Sequence, residues 1–424
     1  MSLKNKLRDH SVVYSGKFYY GWVIVFISSL GIFFSGPGQT YSNSIFIDHY
    51  IEDFGWSRSL VSGIYSGATF LAGMLMLVVG RLVDRWGQRV IMTGAGASLA
   101  IACFWNSFVF TPIMLFIGFL TIRLFGQGSM TLVPNTLVPQ WFIKKRGRAM
   151  SLMMIGGFAG ATLIPIINAW LIELWDWQTA WRVWGGALLL FFVPIAWIWV
   201  RDTPEQVGML PDQTNSRGSS VPTLGNIAEE SWTLQEAMRT REFWLILLCV
   251  AIPALVNTGL TFHLTSILGE QGLGVATAAS VLSIMAFVGF PMTFVAGFAV
   301  DRFPIHWVLA FVFVLEMIFL CLILNLQTIV GAVVFAFFWG AANGLEQIVI
   351  NAIWPNYFGR RYLGSIRGIA MMLMVVGSAL GPLPYGVAFD WFGGYTQVII
   401  ATFICPIIGF FAALFSPAPK KIKE

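Results

Sequence analysis

Charged residues are scarce in this sequence. Only 11% of its 424 residues are Asp, Glu, Lys or Arg, whereas 57% are hydrophobic. Ordinary soluble domains carry about 25% charged residues. Apolar side chains in this quantity need either a protein core or lipid around them. The composition therefore excludes an ordinary soluble fold and favours a chain that is embedded in a membrane.

Cysteine and histidine are also rare. The four cysteines lie inside apolar runs and show no metal-ligand spacing, so neither disulfides nor a metal site is expected. They are Cys103, Cys249, Cys321 and Cys405. The sequence contains no nucleophile–base pair and no His/Cys or His/Glu ligand spacing. It therefore predicts no enzyme, no catalytic residue and no cofactor.

A cleavable signal pattern is absent as well. Met1–Lys17 is polar and basic, and the first apolar run begins at Tyr19. This order predicts a cytoplasmic tail, residues 1–18, that leads into a permanent first span. The formal charge of +5 is spread over many short loops rather than one face. Binding to nucleic acid is therefore not expected.

Long apolar runs are abundant. Each is about 20 residues long, the length of a membrane-spanning helix, whereas barrel strands are about ten residues long and alternate in polarity. The sequence predicts an all-α integral membrane protein with twelve spans. We place them at residues 19–46, 58–80, 90–109, 112–138, 148–172, 180–200, 243–268, 277–299, 305–325, 328–354, 365–388 and 396–416.

The positive charges predict the orientation. With the N-terminus in the cytoplasm, 22 of the 25 Lys and Arg residues fall in cytoplasmic tails and loops. Arg58 and Arg182 fall near the outer surface, and Arg123 falls inside span four. Because cytoplasmic loops are rich in Lys and Arg, both termini are predicted to be cytoplasmic. A multi-pass protein of the cell inner (plasma) membrane is expected.

One polar stretch divides the chain. Residues 201–241 contain Pro204, Pro211 and Pro222 and predict a cytoplasmic linker. It separates a six-helix bundle at 19–200 from a second at 242–416, and residues 417–424 form a cytoplasmic tail. The end of the linker, residues 232–241, favours either a short amphipathic helix or a disordered segment, and both remain open.

The two bundles repeat each other. A Gly-x-x-x-Asp-Arg pattern follows span two and recurs after span eight at a constant offset of 217 residues. Its members are Gly80, Asp84 and Arg85 in the first copy and Gly297, Asp301 and Arg302 in the second. Arg146-Gly147 is likewise repeated as Arg367-Gly368. Repeated six-helix halves are typical of several transporter folds.

These motifs resemble a known family. The pattern G-x-x-x-D-R-x-G-x-R, at residues 80–89, resembles the loop signature of the major facilitator superfamily. Tyr20-Gly-Trp22, Phe54-Gly-Trp-Ser-Arg58 and the 202–212 segment are similar to the bacterial monocarboxylate-transporter and oxalate/formate-antiporter branch. The resemblance covers nearly the whole chain. It implies a transporter that works by alternating access, with spans one, four, seven and ten around a central cavity.

Arg123 is the first candidate for substrate binding. A charged group in the bilayer core costs at least about 2.5 kcal/mol, so its presence needs a reason. A guanidinium can hold a carboxylate with two parallel hydrogen bonds. Gln127, one helical turn later, shares the same face. The alternative is a structural arginine that pairs with a helix carbonyl or a neighbouring acid.

Glu346 is the first candidate for proton coupling. It lies in span ten beside a polar stripe formed by Asn343, Gln347 and Asn351. Low-dielectric surroundings favour the neutral acid, which makes the carboxyl a possible proton carrier. The alternatives are a fixed partner for Arg123 and a satisfied interhelical acid.

Further polar residues lie in spans one and seven. Gln39, Asn43 and Asn257 are expected to contribute to substrate binding, together with Asn343 and Gln347. His263 is a second candidate for proton coupling, although a lone histidine in a membrane helix often only bonds a neighbour. Glu316 in span nine is expected to be structural or to lie where that span meets its neighbours, since the resemblance makes span nine peripheral.

The repeated loop residues suggest a gate. Charge pairs at the cytoplasmic surface can stabilise one conformation and break in another. The candidates are Asp84, Arg85, Arg89, Asp301 and Arg302. The alternative is that these charges only direct membrane insertion.

Arg123 favours an anionic solute as substrate. The expected protein is a secondary active transporter of a small organic anion, with a carboxylate as the first choice. A proton or an exchanged anion is the expected coupling species, the lipid bilayer is its surroundings, and the functional unit is expected to be a monomer. One alternative is an exporter of amphiphilic drugs or metabolites, which 37 Phe and 18 Trp fit in part. Another is a solute-sensing receptor with a transporter fold.

Overall fold

The computed structural model describes residues 19–56, 58–212, 231–273 and 275–419. Within these ranges every regular element is a helix and no strand occurs. The predicted tail 1–18, the middle of the linker at 213–230 and residues 420–424 lie outside the described residues.

The first six spans contain several interruptions. Span one consists of Gly21–Phe34, the 3-10 turn Gly36–Gly38 and Thr40–Phe54, and span two is Arg58–Trp86. Span three is Gln88–Asn106, and span four is Pro112–Ile122, the π-helix Arg123–Ser129 and Met130–Trp141. Span five is Arg146–Met153 with Ile155–Leu174. Span six is Trp177–Ala187, the π-helix Leu188–Phe192 and Val193–Trp199.

The last six spans are longer and less interrupted. Spans seven to ten are Arg241–Glu270, Val275–Arg302, Ile305–Ile323 and Ile329–Phe358. Span eleven is Leu363–Leu380 with Pro382–Phe392, and span twelve is Thr396–Thr402 with Ile404–Leu414. The linker contains the 3-10 turn Pro204–Val207 and the short helix Leu234–Met238.

Eleven stretches among the described residues are long and apolar enough to cross a membrane. Span three is the remaining one, because Gln88, Arg89 and Thr93 make it less apolar than the others. Its 19 residues rise about 1.5 Å each, so the helix has nearly the length of the hydrocarbon core, about 30 Å. The all-α membrane fold predicted from the sequence is confirmed.

The described residues form two compact units. Unit 1 comprises the described part of Met1–Ser231 together with Gly359–Ile369, and unit 2 comprises Trp232–Phe358 together with the described part of Ala370–Glu424. The start of span eleven therefore clusters with unit 1, although the rest of that span belongs to unit 2.

Glycines bring helices into close contact in both units. In unit 1, Gly156 of span five lies against the backbone of Ser29 in span one. In unit 2, a Cβ atom on Gly377 of span eleven would lie 2.7 Å from the carbonyl oxygen of Ala251 in span seven. Small residues at such positions allow helix backbones to approach closely.

Two aspartates attach the start of the linker to unit 1. Asp202 accepts a hydrogen bond of 2.7 Å from the backbone N–H of Arg89, at the start of span three. Asp212 accepts hydrogen bonds from the backbone N–H groups of Ile143, at 2.6 Å, and Lys144. Carboxylates stabilise free N–H groups of this kind. The polar 202–212 segment thus serves as a cap for the ends of spans three and four.

Candidate functional site

Arg123 is buried in unit 1 among Gly38, Thr40 and Tyr65, and this group of residues is called the arginine pocket below. Its side chain is 6% exposed. Nη1 donates hydrogen bonds to the carbonyl oxygen of Gly38, at 3.1 Å, and to the Thr40 hydroxyl, at 3.2 Å. The guanidinium carbon lies 5.1 Å from the ring centroid of Tyr65, whose hydroxyl donates to Thr40 at 3.0 Å. Tyr65 thereby contributes a cation–π interaction to the arginine.

The interruptions in spans one and four create this pocket. Gly36-Pro37-Gly38 breaks span one, and the π-helix Arg123–Ser129 widens span four at the same place. A Cβ atom on Gly126 would lie 2.7 Å from the Cα atom of Gly38. Only glycine at both positions allows this backbone contact, which brings the free carbonyl of Gly38 to the guanidinium. Irregular helices of this kind commonly occur at functional sites.

The charge of Arg123 has no acidic partner in the described part of the chain. All its hydrogen-bond acceptors there are neutral, and its buried Nε has none. A buried cation without a counter-ion is costly. Anion binding would supply the missing charge.

The other candidates of unit 1 lie close to this pocket. The Gln39 side chain donates to the Ser35 hydroxyl at 3.0 Å. Asn43 is buried, and its amide donates to the carbonyl oxygens of Pro37, at 3.2 Å, and Gln39, at 2.8 Å. Asn43 thus satisfies the backbone that the break in span one leaves unpaired. Gln127 is half-buried in the same π-helix as Arg123.

Glu346 is part of a polar network in unit 2. Its Oε2 accepts a hydrogen bond of 3.2 Å from Nδ2 of Asn257. Oδ1 of Asn257 in turn accepts one of 2.6 Å from the indole N–H of Trp339. Because the indole can only donate, it determines which way the Asn257 amide points. Spans seven and ten are thus joined through three side chains.

The predicted polar stripe of span ten is present on one helix face. Asn343 and Asn351 are half-buried, and Gln347 is exposed. The Asn343 amide donates to the Trp339 carbonyl at 2.9 Å. Exposed amides in a membrane protein face water or other polar groups rather than lipid.

Both ring nitrogens of His263 have partners. Nε2 lies 3.2 Å from the carbonyl oxygen of Pro382, and Nδ1 lies 3.1 Å from the Tyr395 hydroxyl. Because a carbonyl oxygen only accepts, Nε2 carries a hydrogen. The ring also stacks on Tyr385, with the centroids 5.8 Å apart. These contacts connect span seven to span eleven and to the residue before span twelve.

Asp84 binds the first turn of span eleven. Its Oδ1 accepts a hydrogen bond of 2.7 Å from the backbone N–H of Gly364, and its Oδ2 accepts one of 2.6 Å from that of Ser365. Gly80, one turn earlier on span two, also contacts the backbone of Gly364. Two of the three positions that recur in the repeated pattern, Gly80 and Asp84, therefore act together. Glycine allows the approach, and the carboxylate caps a helix N-terminus, where negative charge is favoured.

The remaining gate candidates lie elsewhere. Arg89 donates from Nε to the Trp197 carbonyl at 2.8 Å and lies over that indole ring at 4.6 Å, so it is attached to span six. Arg85 is exposed. Asp301 and Arg302 end span eight, where the Arg302 side chain is exposed.

Sequence analysis missed several residues of these clusters. Thr40, Tyr65 and Trp339 became visible as contacts of the candidates only in the folded chain. Arg367 is 5% exposed, and its Nη1 approaches the Asn135 carbonyl at 3.5 Å. The repeat of Arg146-Gly147 at Arg367-Gly368 was the signal that marked this buried arginine.

Two clefts lie away from the predicted substrate-binding residues. One, of about 700 Å³, is an apolar groove between spans eight, nine and ten that Phe303, Trp307 and Phe337 help to line. The other, of about 570 Å³, is polar and includes His49, Asp53 and Arg182 at the ends of spans one and six.

A family model agrees with this arrangement of helices and motifs. The model described as Major Facilitator Superfamily matches residues 28–382. The chain belongs to the major facilitator superfamily. It is accordingly a membrane transporter and not an enzyme, and the predicted multi-pass membrane location is confirmed.

Curated relatives of this superfamily member differ in what they carry. It is 26% identical over 391 residues to an aspyridones efflux protein of Emericella nidulans, and the alignment covers 89% of this chain and 74% of the relative. It is 24% identical over 402 residues to a gallate transporter of Pseudomonas putida, covering 85% of each chain.

Solved structures of the superfamily share the fold. The fucose:proton symporter FucP of E. coli has a TM-score of 0.69 to this transporter at 15% sequence identity. The match covers 94% of this chain and 99% of that one. At this identity the likeness concerns the fold alone.

Proposed function

We propose that this transporter moves a small organic anion, with aromatic carboxylates as the first class to test, and that Arg123 binds the carboxylate. The observation that carries the proposal is the buried guanidinium of Arg123, which has no acidic partner among the described residues. Nη1 is held by Gly38 and Thr40, while the buried Nε has no acceptor. A carboxylate could pair with the unused donors in two parallel hydrogen bonds.

The relatives support this class of substrate. Gallate is a benzoate with phenolic hydroxyl groups, and a gallate transporter is similar to this chain over most of its length. The motifs that resemble the monocarboxylate and oxalate/formate branch point to carboxylates as well. Tyr65, which stacks against the arginine, offers an aromatic surface in the same pocket. Gln39 and Gln127 are the neighbouring groups that we assign to the hydroxyls of the substrate.

We further propose that Glu346 couples transport to protons. A carboxyl that carries a proton must be neutral in part of the cycle, and burial disfavours its charge. The hydrogen bond from Asn257 supplies the opposite tendency, because it stabilises the ionised form. A group balanced in this way can load and release a proton as access alternates. Asn343 and Gln347 form the polar face beside it, which we assign to substrate binding with Asn257.

The Asp84 contact is proposed as part of the gate. Two charge-assisted hydrogen bonds hold the start of span eleven against span two. Bonds of this type are strong enough to bias a two-state equilibrium, at about 1.5–3 kcal/mol each. We propose that they are present in one state of the cycle and broken in the other. Asp301 and Arg302 are proposed to play the corresponding part in the second six-helix half.

Export of larger amphiphilic compounds is the second candidate function. It is favoured by the similarity to an aspyridones efflux protein, which covers most of this chain. The two candidates differ in the direction of transport and in the size of the solute.

The test is uptake into proteoliposomes that contain the purified protein. Labelled gallate, 4-hydroxybenzoate, benzoate and a neutral sugar are compared, with and without an inward proton gradient. The proposal predicts saturable uptake of the carboxylates, inhibition of one by another, and stimulation by the gradient. Uptake of the sugar alone, or of none of the carboxylates, would contradict it. Extrusion of a fluorescent amphiphile from loaded vesicles would favour the second candidate.

A further inference from the structure

Span one contains the start of a helix within the membrane. Its second segment, Thr40–Phe54, has 15 residues and begins directly after the break at Gly36–Gly38. The first N–H groups of a helix have no partner inside that helix, and together they carry about half a positive elementary charge. Because lipid offers no water to such groups, a helix that starts inside a span needs another partner for them.

The residue before this helix does not cap it. Gln39 is the N-cap, but its side chain makes no capping hydrogen bond and donates instead to the Ser35 hydroxyl at 3.0 Å. The N–H groups of Ser42 and Asn43 bond to the Gln39 carbonyl at 3.2 and 3.1 Å. The N–H of Thr40 is left without an acceptor among the described residues.

Arg123 lies beside this uncapped helix start. Its Nη1 is 3.2 Å from Oγ1 of Thr40, the first residue of the helix. The guanidinium is buried, its Nε has no acceptor, and no carboxylate of the described chain pairs with it. A full positive charge and the positive end of a helix dipole therefore adjoin each other. This arrangement is costly unless an anion lies between them.

The Thr40 hydroxyl is a further donor at the same place. Its oxygen accepts hydrogen bonds from Nη1 of Arg123, at 3.2 Å, and from the Tyr65 hydroxyl, at 3.0 Å. A hydroxyl has two acceptor lone pairs and one hydrogen, so only its hydrogen remains unused, with no acceptor among the described residues. The Thr40 side chain is exposed, and polar groups inside a membrane protein face a cavity or the bundle interior. The hydrogen is therefore available to a ligand in the arginine pocket.

We propose that the start of the Thr40–Phe54 helix is part of the substrate site, and that the carboxylate bound by Arg123 also caps this helix. The carboxylate accepts hydrogen bonds from the Thr40 N–H and the Thr40 hydroxyl in addition to those from the guanidinium. Helix N-termini bind anions because their N–H groups and their dipole both favour negative charge. Where transporter helices break inside the membrane, such N-termini point at anionic groups of the substrate.

The inference rests on the proposed binding of a carboxylate by Arg123 and narrows the substrate class. The guanidinium, the Thr40 N–H and the Thr40 hydroxyl all offer donors, so the ligand is the ionised form of the acid, whose carboxylate only accepts. An ester lacks the negative charge that these groups favour. The break in span one thereby has a function, because it brings a helix N-terminus to the guanidinium.

The first experiment measures the dissociation constant of gallate with the purified protein in detergent. Thr40→Val removes the hydroxyl and keeps the N–H, and binding should weaken about tenfold. Thr40→Pro removes both, and binding should weaken about tenfold further. Proline is favourable at the first position of a helix, and the ψ of 152° at Gln39 suits a residue before proline. Since both variants lose the hydroxyl contact with Arg123, the difference between them reports the N–H alone.

Arg241→Pro is the matched control, because Arg241 is likewise the first residue of a helix and follows an N-cap of similar conformation, with ψ 143° at Thr240. It should bind gallate normally. Equal affinities of folded Thr40→Val and Thr40→Pro overturn the proposal. Equal affinity of the unsubstituted protein for gallate and for its methyl ester, which lacks the carboxylate charge, overturns it as well.

The second experiment needs no substrate and compares the melting temperatures of Gln39→Asp and Gln39→Asn. Both residues are good N-caps, but only the aspartate brings negative charge to the helix start and to Arg123, so Gln39→Asp should melt at the higher temperature. A melting temperature of Gln39→Asp at or below that of Gln39→Asn overturns the proposal. If Thr40→Pro does not fold, this comparison decides. Absence of gallate binding by the unsubstituted protein would instead contradict the proposed substrate class, and the melting temperatures would still decide on the helix start.

Discussion

Arg123 donates a hydrogen bond of 3.1 Å from Nη1 to the backbone carbonyl of Gly38, which lies 85 residues earlier in the chain. That carbonyl is available because span one is broken at Gly36–Gly38. The contact orients the guanidinium with one nitrogen occupied, while its buried Nε has no acceptor among the described residues. A membrane-embedded cation is thus held in place by backbone instead of a carboxylate.

Substitutions of Arg123 should distinguish what its positive charge contributes to carboxylate binding from what its planar pair of donors contributes. Arg123→Lys keeps the positive charge but loses the planar pair of donors, so carboxylate binding should weaken about tenfold or more, which is about 1.4 kcal/mol. Arg123→Gln should abolish binding. Both are measured as the dissociation constant and initial uptake of gallate in proteoliposomes.

The control for Arg123 is Arg182→Gln, because the Arg182 side chain is exposed and lies away from the pocket. It should transport normally. Unimpaired transport by a correctly inserted Arg123→Gln protein would exclude Arg123 as the binding residue.

The contact of Gly126 with Gly38 should be sensitive to a single methyl group. A Cβ atom on Gly126 would lie 2.7 Å from the Cα atom of Gly38, so Gly126→Ala must shift one of the two backbones. Overpacking of this kind costs about 1–3 kcal/mol. We expect a lower melting temperature in detergent and weaker gallate binding, since Gly38 also holds Arg123.

Gly94→Ala is the matched control, because no atom lies within 4 Å of a Cβ atom at Gly94. It should leave the melting temperature unchanged or raise it, since alanine is the better helix former. Equal effects of the two substitutions would show that the Gly126 contact is unimportant.

Asp84→Asn should weaken the hold on span eleven. Asn has one acceptor oxygen where Asp has two, so it cannot reproduce the separate bonds of Oδ1 to Gly364 and Oδ2 to Ser365, and it also loses the charge that favours a helix N-terminus. If the contact helps to close the gate, labelling of a cysteine introduced by Gln347→Cys should rise at least severalfold from the predicted cytoplasmic side. The measurement uses a background without the native cysteines.

Asp202→Asn is the corresponding control, since Asp202 caps span three within unit 1. It should lower stability without changing the labelling of Gln347→Cys. Identical labelling in Asp84→Asn and the parent protein would leave Asp84 with a role in membrane insertion only.

Glu346→Gln should separate net transport from exchange. The amide mimics the protonated acid and cannot release a proton, so uptake driven by a pH gradient should fall sharply. Exchange of labelled for unlabelled substrate should continue, because exchange needs no proton release. Both are measured in the same proteoliposomes, and normal gradient-driven uptake would place the proton site elsewhere.

His263→Gln tests the alternative proton site. Both nitrogens of His263 are engaged with Pro382 and Tyr395, so its loss should lower the melting temperature and leave gradient-driven uptake intact. Tyr395→Phe should produce a similar but smaller loss of stability. Loss of proton coupling in His263→Gln at normal stability would reverse the assignment of the two candidates.

The sequence by itself determined the class of the molecule. A span in lipid must be apolar, helical and about 20 residues long, because its backbone groups find no water to bond. Each of these properties can be read from a short stretch of sequence. Charged residues are rare inside the spans because charge in the bilayer core is costly, and this rarity made Arg123, Glu316 and Glu346 stand out. The repeat of Gly80 and Asp84 marked a contact with the start of span eleven in the same way.

Only the tertiary structure decided which residues the candidate side chains bond to. Asp84 binds Gly364 across 280 residues, and Asn257 joins Trp339 to Glu346 across more than 80. No local pattern encodes such pairs, because they depend on which helix faces meet and where helices break. The π-helix at Arg123 and the break at Gly38 are of this kind, since the Arg123 side chain donates to the Gly38 carbonyl across 85 residues. For the same reason the sequence could name Glu316 but could not reveal that its carboxyl is buried and has no hydrogen-bond partner among the described residues.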